Sequence, residues 1–162
     1  MTGDSVQAAK PETEAVAESA DFVTCSIAGQ LFGLPVLRVQ DVLAGCQTSP
    51  IPLAPPEILG QLNLRGRVVT AIDLRRRLGL KPRDAGGRQM SIVIEHEGEL
   101  YSLVVDGVGE VLSLEAADHE PSPPTLDPQF RRYSAGIYRL AEGLLVVLDV
   151  SRLLDYSGAQ AA

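Results

Sequence analysis

The 162-residue chain has no tryptophan, and aromatic residues make up only 4% of it. Hydrophobic residues still account for 45%, so the core must be built mainly from Val, Leu and Ile. The two cysteines, Cys25 and Cys46, form no CxxC motif and have no histidine nearby. The sequence therefore predicts neither a metal site nor a redox pair, and we expect both cysteines to be buried reduced thiols.

Long apolar runs are also lacking, and none approaches the roughly eighteen residues needed to cross a bilayer. The first twenty residues, MTGDSVQAAKPETEAVAESA, have neither the basic start nor the apolar centre of a secretion signal. We therefore expect a soluble, cytoplasmic protein without direct membrane insertion. Residues 1–20 are predicted to be a disordered acidic tail, because they offer too little apolar surface to fold, and residues 157–162 are predicted to fray.

The net charge of −7 argues against general binding to nucleic acid, whose phosphates require a basic face. The charge is unevenly distributed along the chain. Eight of the fourteen cationic residues fall in one window: Arg65, Arg67, Arg75, Arg76, Arg77, Lys81, Arg83 and Arg88. Two interpretations of the three consecutive arginines remain open, a solvated helix face and a surface that contacts an acidic partner.

Short apolar segments separated by Gly, Pro and polar turns predict strands. Residues 22–28 alternate in polarity, and a turn at Gly29-Gln30 joins them to residues 31–36 as a hairpin. A second hairpin is predicted around Arg65-Gly66-Arg67, with Gly66 as the residue of positive φ. A Pro-rich loop and a short helix after Asp73 complete the first half of the chain.

The second half repeats the first. LFGLPVLRVQDVL at 31–43 aligns with LYSLVVDGVGEVL at 100–112 at an offset of sixty-nine positions. GQLNLRGRVVTAIDLRRRLGL at 60–80 aligns with the end of the chain at an offset of seventy-six, so the second copy has a longer middle loop. A constant register that pairs acidic residues and glycines as well as apolar positions indicates an internal duplication.

Each half therefore contains about five short strands and one helical turn, the content of a small SH3-like barrel. We predict a mainly β fold of two SH3-like five-stranded β-barrels from an internal duplication, with short helices. The first barrel is expected at about 21–85 and the second at about 86–156. Neither half is large enough for an independent core, so the two should share an apolar seam.

Candidate catalytic groups are few. Asp73 and Asp149 occupy equivalent positions before a short helix, so both are predicted to be helix caps rather than a catalytic carboxylate pair. Asp106 and Glu110 lack the ligand spacing of a cation-binding loop and are expected in a turn and on a solvated face. We predict no catalytic residue, no cofactor and no metal.

Several segments resemble the CheW family of chemotaxis coupling proteins. They are LRVQDVL at 37–43, PLAPP at 52–56, the block at 60–80 and SLVVDGVGEVL at 102–112. The resemblance covers residues 21–156. It implies a non-enzymatic adaptor, associated with receptor arrays, that links the cytoplasmic tips of chemoreceptors to the regulatory domain of the histidine kinase CheA. It also implies that a receptor tip enters a groove between the barrels.

The resemblance also implies partner-binding residues. The functional arginine of the family motif NLRG falls on Arg65, beside Asn63 and Gly66, and a second element falls on Val39, Gln40, Asp41 and Val42. The duplication favours Arg65 independently, because its counterpart is Ala141, so the barrel does not require an arginine there. Val39 and Val42 have apolar counterparts, and both a groove and a core position remain open for them.

The sequence departs from the usual family pattern at three positions: Leu53 stands where Asn is usual, Thr70 where Pro is common, and Ser102 where Gly is common. These departures concern which partner is recognised rather than the fold. One alternative is a CheW-like adaptor of a non-flagellar or twitching pathway. The alternative from another class is an enzyme that uses Asp73 or Asp106, which no accompanying motif favours.

Overall fold

The computed structural model describes residues 19–45, 47–84 and 86–155. Within these ranges the chain forms ten β-strands. They are β1 (Ser19–Ile27), β2 (Gln30–Pro35), β3 (Val39–Leu43), β4 (Ile58–Leu64), β5 (Arg67–Asp73), β6 (Met90–His96), β7 (Glu99–Val105), β8 (Gly107–Glu115), β9 (Ser134–Leu140) and β10 (Gly143–Leu148). The predicted tail at 1–20 needs correction at its end, because Ser19 and Ala20 pair with β8 as part of β1. Residues 1–18 and the predicted frayed segment 157–162 lie outside the described residues.

In the described part of the chain, three short α-helices accompany the strands: α1 (Leu74–Arg77), α2 (Pro128–Arg132) and α3 (Val150–Leu153). Two 3-10 turns, Val36–Arg38 and Ala116–Asp118, lead out of β2 and β8. The sequence predicted α1 and α3, whereas α2 lies in the longer middle loop of the second copy. No helix in the described ranges has the length and apolarity that crossing a membrane requires.

The strands form two five-stranded sheets, which confirms the predicted mainly β fold. The first sheet has the order β8-β1-β2-β10-β9, and the second has the order β3-β6-β7-β5-β4. The pairs β2/β10 and β5/β7 are parallel, and the other neighbouring pairs are antiparallel. Replacing each strand of the first sheet by its counterpart from the other half gives the order of the second sheet, as the duplication requires.

The sheets do not coincide with the two halves of the sequence, so the predicted division into barrels at about 21–85 and 86–156 is corrected. The first sheet combines the β1–β2 hairpin with β8, β9 and β10, and the second combines the β6–β7 hairpin with β3, β4 and β5. The parallel pairing of β2 with β10, and of β7 with β5, joins strands from different halves. Each sheet therefore depends on residues from both copies.

The apolar core of the described residues has one large cluster and two small ones. The large cluster takes side chains from both sheets and from all three helices, including Phe32, Ile72, Ile94 and Leu148. The small clusters are equivalent by the duplication, one around Leu145 in the first sheet and one around Val69 in the second. The large cluster is the apolar seam that the small size of each half predicted.

Two glycines repeat a backbone constraint in both copies. Gly60 (φ +146°) and Gly136 (φ +123°) are separated by the offset of the duplication. A Cβ at Gly60 would collide with the carbonyl of Ser49, and one at Gly136 would collide with the His119 ring. At each site a neighbouring loop segment lies so close to the glycine backbone that a Cβ does not fit. Glycine is therefore needed in both copies.

Candidate functional site

The turn between β4 and β5 positions Arg65. Arg65 (φ +52°) and Gly66 (φ +85°) both have left-handed backbone conformations, and the Asn63 side-chain oxygen accepts a hydrogen bond from the Gly66 amide at 3.0 Å. A two-residue hairpin turn of this kind favours Asn followed by Gly. The positive φ predicted for Gly66 is present, and the same conformation at Arg65 was not foreseen. An arginine there costs on the order of 1 kcal/mol in backbone energy.

The second predicted element, Val39 to Val42, forms most of β3 at one edge of the second sheet. A bulge after Val39 makes Val39 and Asp41 pair with the consecutive residues Ile94 and Val93. Val39 is half-buried and packs against the large core cluster, while 39% of Val42 is exposed. The structure thus places Val39 at the core and Val42 at the surface.

An ion pair joins the two predicted elements. Arg65 donates from Nη2 to Oδ2 of Asp41 at 2.8 Å, and Oδ1 of Asp41 accepts a hydrogen bond from the Val42 amide at 2.9 Å. The hydrogen bond from Arg65 is the main cause that holds the pKa of Asp41 below its usual value, followed by the Val42 amide. Because β3 and β4 form opposite edges of the second sheet, the pair connects these edges.

The energetic value of this ion pair to the fold is small. The Arg65 side chain is 74% exposed, and exposed pairs typically contribute less than about 1 kcal/mol. The pair instead holds the exposed guanidinium in one position on the second sheet, whose strands β3 and β5 also expose Val42 and Val68. Protein interfaces commonly use an arginine held in this way, because its guanidinium offers several directed hydrogen bonds.

The corresponding region of the first sheet is built differently. The counterparts of Asp41 and Val42 are Glu110 and Val111 on β8, where Val111 is 56% exposed. The counterpart of Arg65 is Ala141, so the ion pair has no equivalent there. The Arg65–Asp41 pair therefore distinguishes one sheet from the other.

An apolar cavity lies where the chain passes from the first sheet to the second. Its volume is about 320 Å³, and it is lined by Ser19, Ala20, Asp21, Pro35, Val36 and Leu37. The Leu37 side chain is 93% exposed at its rim. Two residues further along the chain, Val39 packs on the core, so this cavity adjoins the start of β3. The sequence did not single out Leu37.

The Pro-rich loop presents another exposed apolar side chain. The Ala54 amide donates to the Ile51 carbonyl at 3.3 Å, which closes a turn with Pro52 and Leu53 at its centre. Leu53 has φ +64° and is fully exposed. Asn or Gly is favoured at a turn position with positive φ. Leu53, which stands where the family usually has Asn, is therefore also a residue that this backbone conformation disfavours.

The two aspartates considered for catalysis have structural partners. The Asp73 side chain accepts a hydrogen bond from the Arg75 amide at 3.1 Å, and Asp149 accepts one from the Arg152 amide at 3.2 Å, so both cap short helices as predicted. The expectation of a solvated turn for Asp106 is wrong. Its side chain is only 21% exposed and binds Arg75 and Arg83.

Three arginines of the cationic cluster in the sequence are taken up by contacts within the chain. Arg75 and Arg83 bind Asp106, and Arg77 bonds to Glu57 and to the carbonyl of Leu153 at 2.8 Å. Of the three consecutive arginines, neither a solvated helix face nor a partner surface describes Arg75 and Arg77, whereas Arg76 is 43% exposed and lies 3.8 Å from Asp73, so both interpretations stay open for Arg76 alone. The duplication could have singled out Arg75 and Asp106, because Arg75 aligns with Ser151 and Asp106 aligns with Leu37, so the other half does not need either charge.

The cysteine at position 25 is buried, and burial, with a smaller contribution from Asp106, raises its pKa to about 12. A thiol with so high a pKa is unreactive at neutral pH, in agreement with the prediction for Cys25. Cys46 lies outside the described residues. Within the described ranges, no group of three or more His, Cys, Asp and Glu side chains is placed to hold a metal ion.

Comparison with known proteins gives a consistent result. The family model described as "CheW-like domain" matches residues 21–157. The chain is 31% identical over 135 residues to the "Chemotaxis protein CheW" of Klebsiella aerogenes, covering 83% of this chain and 81% of that protein. It is 27% identical over 142 residues to the "Probable chemotaxis protein CheW" of Rhizobium etli, covering 88% and 92%. The crystal structure of scaffolding protein TtCheW from Thermoanaerobacter tengcongensis matches with a TM-score of 0.76 and 30% identity, covering 86% of this chain and 94% of that one.

Proposed function

Because the chain belongs to the CheW-like family, we propose that it is a non-enzymatic chemotaxis scaffold that couples chemoreceptor tips to the regulatory domain of the histidine kinase CheA. It acts in the cytoplasm, beneath receptor arrays. The proposal assigns binding to Val39, Asp41, Val42, Asn63, Arg65 and Gly66. Val39, Asn63 and Gly66 support the surface, and Asp41, Val42 and Arg65 form it.

The observation that carries this proposal is the Arg65–Asp41 pair. Arg65 is placed in a left-handed turn position that disfavours arginine, and its exposed ion pair adds little to stability. The other half of the molecule builds its equivalent turn without it. A recognition role accounts for all three facts, because a fixed guanidinium can bind partner carboxylates or carbonyls with several directed hydrogen bonds.

A second surface suits the receptor. The apolar cavity beside Leu37 lies at the passage between the sheets, where the family resemblance puts the receptor groove. An amphipathic helix can insert an apolar residue into such a cavity while its polar face stays in water. We assign the Arg65 surface to the kinase and the Leu37 cavity to the receptor tip, which makes the two contacts separable by mutation.

The alternative of an enzyme using Asp73 or Asp106 is not favoured, since Asp73 caps α1 and Asp106 accepts five hydrogen bonds. The alternative of a non-flagellar or twitching pathway differs in the identity of receptor and kinase rather than in mechanism. We propose that the exposed Leu53, which stands in place of the usual Asn, contributes to the choice of receptor or kinase.

The test is binding of the purified protein to a kinase regulatory domain and, separately, to receptor tip fragments. Arg65→Asn is the informative variant, because Asn tolerates the left-handed turn and removes only the guanidinium. We expect Arg65→Asn to weaken kinase binding by at least about tenfold, in the range of an interface arginine. Leu37→Ser is expected to weaken receptor binding selectively.

Arg139→Asn provides the matched control. Arg139 forms an ion pair of 3.0 Å with Glu120 and is 62% exposed, much like Arg65, but it lies on the first sheet. We expect it to leave both affinities unchanged. Normal thermal unfolding of Arg65→Asn with undiminished binding to the kinase regulatory domain would contradict the assignment of Arg65.

A further inference from the structure

Asp106 occupies the passage from the second sheet to the first. β7 ends at Val105 in the second sheet and β8 begins at Gly107 in the first, so Asp106 is the single residue between them. Its backbone amide donates to the Ser26 carbonyl at 3.0 Å, and its Oδ2 accepts a hydrogen bond from the Ala28 amide at 2.7 Å. Both contacts hold it to the β1–β2 hairpin of the first sheet.

Two arginines tie the same carboxylate to the second sheet. Arg75, on the helix that follows β5, donates from Nε to Oδ1 at 2.9 Å and from Nη2 to Oδ2 at 2.7 Å. Arg83, in the segment between the two halves, donates from Nε and Nη2 to Oδ1 at 3.2 and 2.9 Å. Side-chain exposure is 20% for Arg75 and 11% for Arg83. A bidentate pair with this little solvent fixes the relative orientation of the groups it joins.

Among the described residues, the equivalent passage in the other half lacks this connection. By the duplication, Asp106 corresponds to Leu37, Arg75 to Ser151 and Ala28 to Glu97. At the equivalent passage from β2 to β3, the position of Asp106 is thus taken by the exposed Leu37 beside the apolar cavity. One passage is held by ionic hydrogen bonds on Asp106, whereas at the other Leu37 cannot make them, and the neighbouring Arg38 instead hydrogen-bonds to His96 at 2.9 Å.

The closed passage is also connected to the Arg65 turn. β5 begins at Arg67, directly after that turn, and ends at Asp73, directly before α1. It pairs in parallel with β7, and Asp73 is opposite Val104, two residues before Asp106. Arg83 lies 3.8 Å from Asp73 and 2.9 Å from Asp106, so it contacts the ends of both strands.

We propose that Asp106, Arg75 and Arg83 form an electrostatic joint that fixes the orientation of the two sheets relative to each other. The large apolar cluster drives the sheets together, but apolar contacts are not directional and permit alternative packings. The ionic joint adds the directional contacts that select one of them. The joint does not depend on the proposed partners, since all of its contacts are within the chain.

The experiment measures a distance across the joint. Two exposed residues are each replaced by cysteine and spin-labelled: Glu97, in the β6–β7 turn of the second sheet, and Glu142, in the β9–β10 turn of the first. Cys46 is replaced by serine in every sample, and the buried Cys25 is left in place. Pulsed electron resonance of the full chain should give one narrow distance distribution. In Asp106→Asn we expect the distribution to move or broaden by about 2 Å or more, the scale of shifts at packed interfaces.

Asp41→Asn is the control, because it removes an ion pair whose two partners both belong to the second sheet. It should leave the distribution unchanged. Arg83→Gln removes half of the joint and serves as the second variant if Asp106→Asn fails to fold. An unchanged distribution in a folded Asp106→Asn or Arg83→Gln protein overturns the proposal, and so does an equal change in Asp41→Asn.

Discussion

Single residues without a counterpart in the other half carry the asymmetry of this molecule. Arg65 could be selected from the sequence, because its alignment with Ala141 shows that the hairpin does not need it. Asp106 satisfies the same criterion against Leu37, yet its local context of glycines indicated a solvated turn. Its partners Arg75 and Arg83 are thirty-one and twenty-three positions away, so only the folded chain reveals them.

Ser102 provides a prediction at this scale. It is fully buried in β7, and its hydroxyl has no hydrogen-bond partner among the described residues. A buried hydroxyl without a partner carries an uncompensated desolvation penalty. We expect Ser102→Ala to raise the free energy of unfolding by about 1 kcal/mol, measured by urea denaturation.

Ser91 is the control for this prediction. It is equally buried, on the neighbouring strand β6, but its hydroxyl donates to the Gly45 carbonyl at 3.1 Å. Ser91→Ala should therefore lower the free energy of unfolding by about 1 kcal/mol. The explanation would fail if both alanine variants changed stability in the same direction.

The carboxyl of Asp106 predicts a pH dependence. Partial burial tends to raise its pKa, but hydrogen bonds from Arg75, the Ala28 amide and Arg83 outweigh this and lower it from 3.8 to about 2. A lowered pKa in the folded state contributes stability above about pH 4, which is lost as the pH falls through about 2. We expect this contribution to be on the order of 1 kcal/mol, after allowance for solvent screening.

The measurement compares the wild-type protein with Asp106→Asn in urea at pH 5 and at pH 2. The stability difference between the two proteins should shrink at the lower pH, because at pH 2 the Asp106 carboxyl is already protonated in the unfolded chain and about half protonated in the folded protein. The charged side chains nearest the site, Arg75, Arg83, Asp73 and Asp84, are common to both proteins. A difference that is constant across this range would contradict the lowered pKa.

At the scale of elements, the local features were predictable and the pairings were not. Hairpins follow from short-range turn chemistry, and the turns at Ala28-Gly29, Arg65-Gly66 and Glu97-Gly98 share the same pair of positive φ angles. The helix caps at Asp73 and Asp149 were also evident from the sequence. The parallel pairs β2/β10 and β5/β7 were not, because a parallel neighbour can lie far along the chain and leaves no local pattern.

The two caps are equivalent in the sequence but differ in their surroundings. The Asp73 side chain is 7% exposed and lies 3.8 Å from both Arg76 and Arg83, whereas that of Asp149 is 29% exposed and, among the arginines of the described residues, lies 3.5 Å from Arg152 alone. We expect Asp149→Ala to lower the free energy of unfolding by about 1 kcal/mol and Asp73→Ala by about 2 kcal/mol. Thermal and urea unfolding would test the order, and an equal or reversed cost would show that the deeper burial of Asp73 and its contact with Arg83 add nothing.

At the scale of the whole molecule, the duplication and the sheets divide the chain differently. The sequence repeats after the segment near residue 85, but each sheet takes a hairpin from one half and three strands from the other. The large core cluster likewise draws on both halves, from Val23 to Leu154. A repeat in the sequence reveals which strands are equivalent. It does not reveal which copy each strand pairs with, since both pairings satisfy the same apolar pattern.

This exchange predicts that neither half folds alone. A fragment of residues 1–85 would lack β9 and β10 beside β2, and β6 and β7 between β3 and β5. Its strand edges and apolar faces would then be exposed. We expect fragments 1–85 and 86–162 to show no cooperative thermal unfolding when separate.

Mixed in equal amounts, the two fragments should recover strand content by circular dichroism and a cooperative transition, because only together do they supply every strand of either sheet. A cooperative transition in either fragment alone would mean that a half can close its own sheet, and that the exchange is not needed for folding.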